Sequence, residues 1–373
     1  MKALAAPQAP PLVPRERGGR SDLTRGGVPG DGDHERLVVV RGERSGAAMA
    51  VAIHSTRLGP ALGGMRLWSY EREGDAVHDV LRLARAMTYK AAAAGLDLGG
   101  GKGVVCSPNG EAPAGELREA ILLDFGDLVE SLGGSYITAE DVGIGAEDMV
   151  VVASRTAHVT GMPESRGGSG DPSPVTAAGV QAAIRGACRV AFGTRVVAGR
   201  SVVVVGLGHV GERLARGLAV DGARLFVSDI APDRRAIADE LGATWLEPDE
   251  ALTADCDVLA PCAVGGAIHA GNVRQLRCRV LCGAANNQLA DEALASVLAR
   301  REILYAPDFI ANAGGLINVY RELHGYTAER AMTLALGIED TIGLVIDAAE
   351  ARGITPLDAA RELAEERLAL ARG

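Results

Sequence analysis

Lysine is almost missing from this chain. Three of its 38 cationic side chains are lysine, at positions 2, 90 and 102, and arginine supplies the rest. No apolar run approaches the ~18 residues that a membrane-spanning helix needs, so no membrane partner is expected. The six cysteines, at 106, 188, 256, 262, 278 and 282, form no CxxC pair and no Cys–His ligand spacing. That excludes a zinc site or a disulfide framework, and it reads as reduced thiols in a cytoplasmic protein. A basic excess is missing too: the net charge is −10. Nucleic acids and anionic membranes recruit basic patches, so neither is expected as a partner. Residues 1–34 carry no apolar stretch and cleavage site of signal-peptide form. They are rich in Pro and Gly and lack periodicity, and they read as a disordered extension, with a mis-assigned start codon as the alternative.

What is present is a 373-residue chain with 47% hydrophobic and 23% charged residues, a length and composition that favour two globular domains. Strands are expected at Arg36–Val40 and Ala48–His54, and a helix from Asp75 to about Ala94, where apolar residues recur at helical spacing. A glycine cluster (GLDLGGGK) then precedes a short apolar strand. A helix over Ala114–Leu132 and a strand over Ser135–Ala139 follow. The Gly/Ser/Pro-rich stretch 161–174 reads as a hinge. From Thr176 the pattern is strictly βα, with buried parallel strands at Ser201–Val205, Arg224–Ser228, 257–260, 279–282 and 303–305. Two helices, about 327–352 and 356–371, end the chain, the second opened by Thr355 as N-cap and Pro356.

The strand at Ser201–Val205 runs into Gly206-Leu-Gly208-His-Val-Gly211 and then a helix, and Asp229 closes the next strand. In that context GxGxxG is a dinucleotide fingerprint. Gly206 makes the turn, Gly208 lets a pyrophosphate approach the helix start, and Gly211 allows close helix–strand packing. Asp229 accepts from the adenosine ribose and repels a 2′-phosphate, so NAD is expected as cofactor. Arg234 and Arg235 lie close enough to keep NADP open. The alternative is a glycine turn that binds nothing.

The GGGK at Lys102 is not a phosphate loop, because position 96 is Leu and Lys102 is followed by Gly. Two lysines within thirteen residues, on so arginine-rich a background, mark places where arginine will not serve. Lysine differs in a pKa that burial and neighbouring cations can pull toward neutrality. One lysine is therefore a candidate general base, and the second a depressor of its pKa or a holder of a substrate carboxylate. Two exposed lysines without a role are the alternative. Asparagine is also scarce, and four of six fall at Asn286, Asn287, Asn312 and Asn318. Several sit near carboxyl ends of strands, where open α/β sheets bind ligands. An amide that donates and accepts suits a nicotinamide carboxamide or an amino-acid carboxylate.

The stretches LGPALGGMR (58–66), MTYKAAAAGLDLGGGK (87–102), ITAEDVG (137–143), GDPSPVTAAGV (170–180), APCAVGG (260–266), GAANNQLA (283–290) and ILYAPDFIANAGGLINV (303–319) resemble the leucine/valine/phenylalanine branch of the glutamate dehydrogenase superfamily. The resemblance runs from about Glu35 to the C-terminus. It implies an α/β fold with an N-terminal α/β substrate and oligomerisation domain (35–165). A doubly wound Rossmann NAD-binding domain (166–326) follows, with C-terminal helices (327–373) returning to the first domain. It implies that Lys90 binds the substrate α-carboxylate, that Lys102 activates water, and that Asp141 exchanges protons with the amine. Asn287 would orient the substrate, while Thr176, Cys262 and Asn312 would join Gly206, Gly208, Gly211 and Asp229 around the cofactor. The reaction implied is oxidative deamination of an L-amino acid to a 2-oxo acid and ammonia, and its reverse, in a homo-oligomer.

Leu62, Ala139, Leu316 and Val319 match the family's side-chain pocket, and all are aliphatic. Such a wall offers nothing to a second carboxylate and points to leucine, valine and isoleucine. The alternatives are an aromatic amino-acid dehydrogenase and a silent NAD- or amino-acid-binding relative. Two departures stand out: Leu316 where Val or Ala is usual, and Tyr320-Arg321 in place of a small residue and an acid.

Overall fold

The computed structural model describes residues 21–22, 33–107 and 112–371. The expected extension, and Lys2 with it, lies almost wholly outside them. Among the described residues no helix is long and apolar enough to cross a membrane. The chain divides into two compact units. One comprises the chain up to Thr88 with Leu98–Met162, and the other Tyr89–Asp97 with everything from Pro163 onward.

The first unit contains β1 (Ser21–Asp22), β2 (Arg36–Arg41), β3 (Ala48–Ser55), β4 (Ala61–Leu62), β5 (Met65–Trp68), most of α1 (Glu73–Ala93), β6 (Gly99–Cys106), α2 (Gly115–Glu130), β7 (Tyr136–Ile137) and α3 (Ala146–Ala153). Its seven strands make one mixed sheet in the order β1-β2-β3-β6-β4-β7. β5 continues the line of β4 by pairing with the far end of β6. Alternate residues of β3 point to opposite faces. Met49, Val51 and Ile53 join Ile121, Phe125 and Met149 in one core layer. Ala50 and Ala52 join Val80, Leu81 and Ala84 of α1 in the other.

The glycine cluster is itself strand. β6 begins at Gly99 rather than after Lys102, because its neighbours come too close for any side chain. A Cβ on Gly101 would stand 2.7 Å from the Tyr136 ring, and one on Gly103 2.4 Å from the Phe125 ring. On the opposite face a Cβ on Gly100 would stand 2.1 Å from the Thr88 backbone of α1. Glycine weakens a strand by propensity, and here tertiary approach overrides that.

The second unit contains α4 (Ser173–Phe192), β8 (Ser201–Val205), α5 (His209–Val220), β9 (Arg224–Ser228), α6 (Arg235–Leu241), β10 (Thr244–Trp245), α7 (Pro248–Ala251), β11 (Asp255–Pro261), β12 (Arg277–Leu281), α8 (Leu294–Arg300), β13 (Leu304–Tyr305), α9 (Asp308–Ala311), α10 (Gly314–Glu322), α11 (Ala328–Leu336), α12 (Ile338–Arg352) and α13 (Pro356–Leu370). Its six strands are all parallel, in the order β10-β9-β8-β11-β12-β13. That is the doubly wound order 3-2-1-4-5-6 of a Rossmann sheet.

Two expectations are corrected here. The helix expected over 327–352 is two helices divided at Gly337, one of the two glycines of that stretch and so a weak helix former. The helices beyond 327, expected to join the first domain, group with the second unit. The reason is close packing on α4. A Cβ on Gly186 would stand 2.4 Å from the Glu339 carbonyl, and one on Gly179 2.8 Å from Ile338, so these glycines let α12 lie against α4. Arg185 and Arg195 then bind Glu339 at 2.7 and 2.9 Å. α13 holds the segment 89–97: Arg367 donates to the carbonyls of Ala92 and Leu96 at 3.1 and 2.8 Å and pairs with Asp97 at 2.9 Å. Thr355 accepts from the Asp358 amide as the α13 N-cap.

Candidate active site

Lys102 sits on β6 with residues i and i+2 facing α1, so the side chain enters the α1 face of the sheet beside Val104. Arg66 on β5 lies opposite Val104 in register and shares that face. The loop after β7 is stitched to β5 on both sides of Arg66, by Met65 N to Ala139 O at 2.8 Å and Leu67 N to Val142 O at 3.0 Å. This holds Asp141 against both cations. Lys102 Nζ lies 2.9 Å from Asp141 Oδ2, and Arg66 Nε donates to the same oxygen at 2.9 Å. Arg66 also reaches Asp79 of α1 at 3.1 Å, and Asp79 accepts from the Tyr70 hydroxyl at 2.7 Å and from Arg82 at 2.8 Å.

Lys102 is 5% exposed. Burial pushes its pKa below the ordinary lysine value, against the pull of the Asp141 charge, and Arg66 adds to the lowering. Burial pushes Asp141 up, but the Lys102 and Arg66 charges outweigh it and hold the carboxyl below its ordinary value. The result is a base-competent amine beside an ionised acid. Arg66, Asp79 and Tyr70 carried no role in the sequence reading, because arginine is abundant here. The signal was the place of Arg66 at the end of LGPALGGMR.

In the second unit Lys90 donates to Asn312 Oδ1 at 2.6 Å. The Asn312 amide in turn donates to Asn286 Oδ1 at 2.8 Å and to the Ala284 carbonyl at 3.1 Å. The loops after β12 and β13 thus bring Lys90, Asn312 and Asn286 together. Asn287 lies in the same loop with φ of +50°, a strained conformation that asparagine tolerates better than most residues. Asn318 is spent inside the unit, accepting from Tyr326 at 3.0 Å. Sequence reasoning missed Asp308, which is buried, accepts from the Gln288 amide at 2.7 Å, and has a pKa pushed up by burial, against the nearby Lys90 charge.

The fingerprint glycines behave differently from one another. Gly206 has φ of +99°, and a Cβ on Gly211 would stand 1.9 Å from the Gly206 carbonyl. Those two are needed by the turn and by the helix–strand contact. Gly208 is the N-cap residue of α5, makes no side-chain cap, and faces open space. An open glycine at an uncapped helix start is what an approaching pyrophosphate requires. Asp229 is fixed at the end of β9, accepting from the Leu207 and Ala231 amides at 2.6 and 2.8 Å. Arg234 is turned to Glu212 at 3.4 Å, and the Arg235 guanidinium lies over the Trp245 ring at 5.8 Å. These residues fit a nicotinamide dinucleotide. Thr176 donates to the Pro172 carbonyl at 2.9 Å. Cys262 follows β11 beside Gly211, its thiol pushed up to about 12 by burial, so it stays neutral.

Of the four positions expected to meet the substrate side chain, two belong to each unit. Leu62 and Ala139 are buried in the first, where Leu62 on β4 pairs in register with Ile137. Leu316 and Val319 are buried in the second, three residues apart on one face of α10. Tyr320 packs edge-on against His324 at 4.6 Å between ring centroids.

Two family models match the chain. Residues 35–158 match the Glu/Leu/Phe/Val dehydrogenase dimerisation domain, and residues 230–372 match glutamate/leucine/phenylalanine/valine dehydrogenase. The leucine dehydrogenase of Bacillus subtilis (strain 168) is 46% identical, over 90% of this chain and 92% of its own. The valine dehydrogenase of Streptomyces coelicolor (strain ATCC BAA-471 / A3(2) / M145) is 43% identical, over 91% of this chain and 94% of its own. The crystal structure of L-tryptophan dehydrogenase from Nostoc punctiforme superposes with a TM-score of 0.80 at 38% identity, covering 91% of this chain and 97% of that one. With its buried lysine–aspartate pair and its dinucleotide fingerprint, the chain belongs to the glutamate/leucine/phenylalanine/valine dehydrogenase family and is an amino-acid dehydrogenase.

Proposed function

We propose that this enzyme carries out the NAD-dependent oxidative deamination of branched-chain aliphatic L-amino acids (leucine, valine and isoleucine) to 2-oxo acids and ammonia, and the reverse reductive amination. The observation that carries the reaction class is the lysine buried against an ionised aspartate, in a chain where three of 38 cationic side chains are lysine. Relatives named leucine and valine dehydrogenase support the substrate class.

Gly206, Gly208, Gly211 and Asp229 hold the dinucleotide, with Thr176, Cys262 and Asn312 toward its nicotinamide end. The bound nicotinamide supplies the acceptor for the hydride that leaves the substrate Cα. The remaining chemistry is hydrolysis of the resulting imine, and this chain's residues perform it. Lys90 holds the α-carboxylate, with Asn287 orienting the substrate. Lys102 in its neutral form takes a proton from the water that adds to Cα. Asp141, ionised at rest, takes a proton from the substrate ammonium before the hydride leaves and returns it to the carbinolamine nitrogen so that ammonia departs, while the hydroxyl proton passes to solvent as the 2-oxo acid carbonyl forms. Leucine and oxidised cofactor should give 2-oxo acid, ammonia and reduced cofactor in equal amounts. Consumption of leucine without ammonia release removes this reading.

NAD is favoured over NADP because the Asp229 carboxylate would face a 2′-phosphate, while Arg234 is engaged by Glu212. Asp229→Ser should weaken NAD and raise the relative use of NADP, measured as kcat/KM for each cofactor. A wild type that already prefers NADP would contradict the role given to Asp229. The match to a dimerisation domain supports a homo-oligomer.

The family resemblance assigns Leu62, Ala139, Leu316 and Val319 to the substrate side chain, and all four are aliphatic. If Leu316 takes volume from the substrate, Leu316→Val should move the kcat/KM ratio from valine toward leucine by several-fold to ~100-fold. Leu316→Ala should go further and admit phenylalanine, with some loss of stability from the cavity. An unchanged valine-to-leucine ratio in both variants would take Leu316 out of the pocket. Met65 and Tyr320-Arg321 would then be the next positions to test.

A further inference from the structure

We infer that Arg66 is a positioning residue for the acid–base pair: it pins Asp141 through the oxygen that Lys102 also uses, so that the other oxygen, Oδ1, is the one presented for proton exchange. This rests on the reaction proposed above and assigns work within it. Both cations converge on Oδ2 at 2.9 Å, and among the described residues Oδ1 takes no hydrogen bond from a side chain or backbone amide that would compete with a substrate amine. A carboxylate held by Lys102 alone could rotate about its Cβ–Cγ bond and exchange its oxygens. A second donor on the same oxygen from a different strand stops that.

Arg66 is itself held from behind. Its guanidinium binds Asp79, and Asp79 is fixed by Tyr70 and Arg82. Gly63 and Gly64 make the approach possible. A Cβ on Gly64 would stand 2.4 Å from the Glu140 carbonyl and 2.8 Å from Asp141 Cβ, so only glycine lets the strand carrying Arg66 run alongside the loop carrying Asp141.

The same geometry gives Arg66 an electrostatic effect on the base. The charged groups acting on Lys102 are Asp141 from the loop after β7, Arg66 from β5 and Asp79 from α1, with Arg82 behind Asp79. β3 presents Ala52 in register with Lys102, and the Tyr136 phenol of β7 lies on the other face of the sheet, against Gly101 and Gly103, and donates to the Gly63 carbonyl at 2.5 Å. Arg66 therefore opposes protonation of Lys102, and Asp79 favours it.

The test is the pH profile of deamination. Turnover needs neutral Lys102, so activity rises with pH through an acid limb set by the lysine. Arg66→Gln should move that limb up by about one pH unit and lower kcat more than it raises KM for the amino acid. Arg66→Lys restores the charge but not the Nε contact, so the limb should return toward wild type while kcat stays reduced. Asp79→Asn should move the limb the other way, down in pH, which a merely structural defect would not do. If Arg66→Gln does not fold, the Arg66→Lys and Asp79→Asn profiles decide. An acid limb unmoved in every variant that folds, or moved in the same direction by Arg66→Gln and Asp79→Asn, overturns the role of Arg66. A wild type that deaminates no amino acid overturns instead the reaction on which it rests.

Discussion

Lys102→Arg should be nearly as inactive as Lys102→Ala, each losing ~10³-fold or more in kcat, within the range that a general base contributes. Arginine is the informative replacement because it preserves almost everything except the base. It keeps the positive charge that Asp141 binds, so the buried carboxylate is not left unpaired, a loss that would itself be costly. What it cannot do is give up a proton near neutral pH, since guanidinium stays charged in any environment a protein offers. Lys102 can, because burial in a strand between α1 and the Asp141 loop lowers its pKa. Dinucleotide affinity should survive in both variants, since the cofactor is held by the second unit's fingerprint. The measurement is kcat beside the cofactor Kd from fluorescence titration. Wild-type-like turnover in the arginine variant would remove Lys102 as the base.

Gly63→Ala should be among the most damaging single methyl additions in the chain. The added Cβ would stand 1.8 Å from the Gly101 carbonyl oxygen and 2.7 Å from its carbon. Backbone atoms in the middle of a sheet cannot swing aside as a side chain would, so relief requires separating β4 from β6. A cost of about 3 kcal/mol or more is expected, with a fall in the unfolding midpoint on the order of 10 °C. The shift would also be felt at Lys102, the next residue along β6, so activity should drop even at temperatures where the variant is folded. Gly74→Ala is the matched control. It lies in the first turn of α1 with nothing within 4 Å of its Cβ position, and the change should be neutral or slightly stabilising. Equal midpoints for the two variants in a thermal melt would contradict the packing account of the glycine-rich strands.

Most of the second sheet is readable from pattern because its strands are buried on both faces. Val202–Val205 and Leu225–Val227 are uninterrupted apolar runs, the first followed by Gly206 and the second by Ser228-Asp229, as parallel strands buried on both faces are. β6 resists the same reading because its first residues are glycine, chosen for what approaches them from Tyr136, Phe125 and Thr88. None of those contacts is visible in local sequence. The grouping of the last helices is hidden for the same reason, since it depends on the bare surfaces of Gly179 and Gly186 on α4. At the site, Lys90 and Lys102 stand out against an arginine background, and Asp141 comes from the family resemblance. Arg66 and Asp79 are ordinary in composition and become distinctive only through the oxygen atoms they share.

The most direct test is the initial rate of nicotinamide reduction, followed by near-ultraviolet absorbance, for purified enzyme with NAD and each of the common L-amino acids. Leucine, valine and isoleucine should reduce the cofactor with ammonia released in step, and glutamate should not. Reduction confined to glutamate or to aromatic amino acids would contradict the substrate assignment. No reduction with any amino acid, from enzyme shown to be folded and to bind NAD, would contradict the account as a whole.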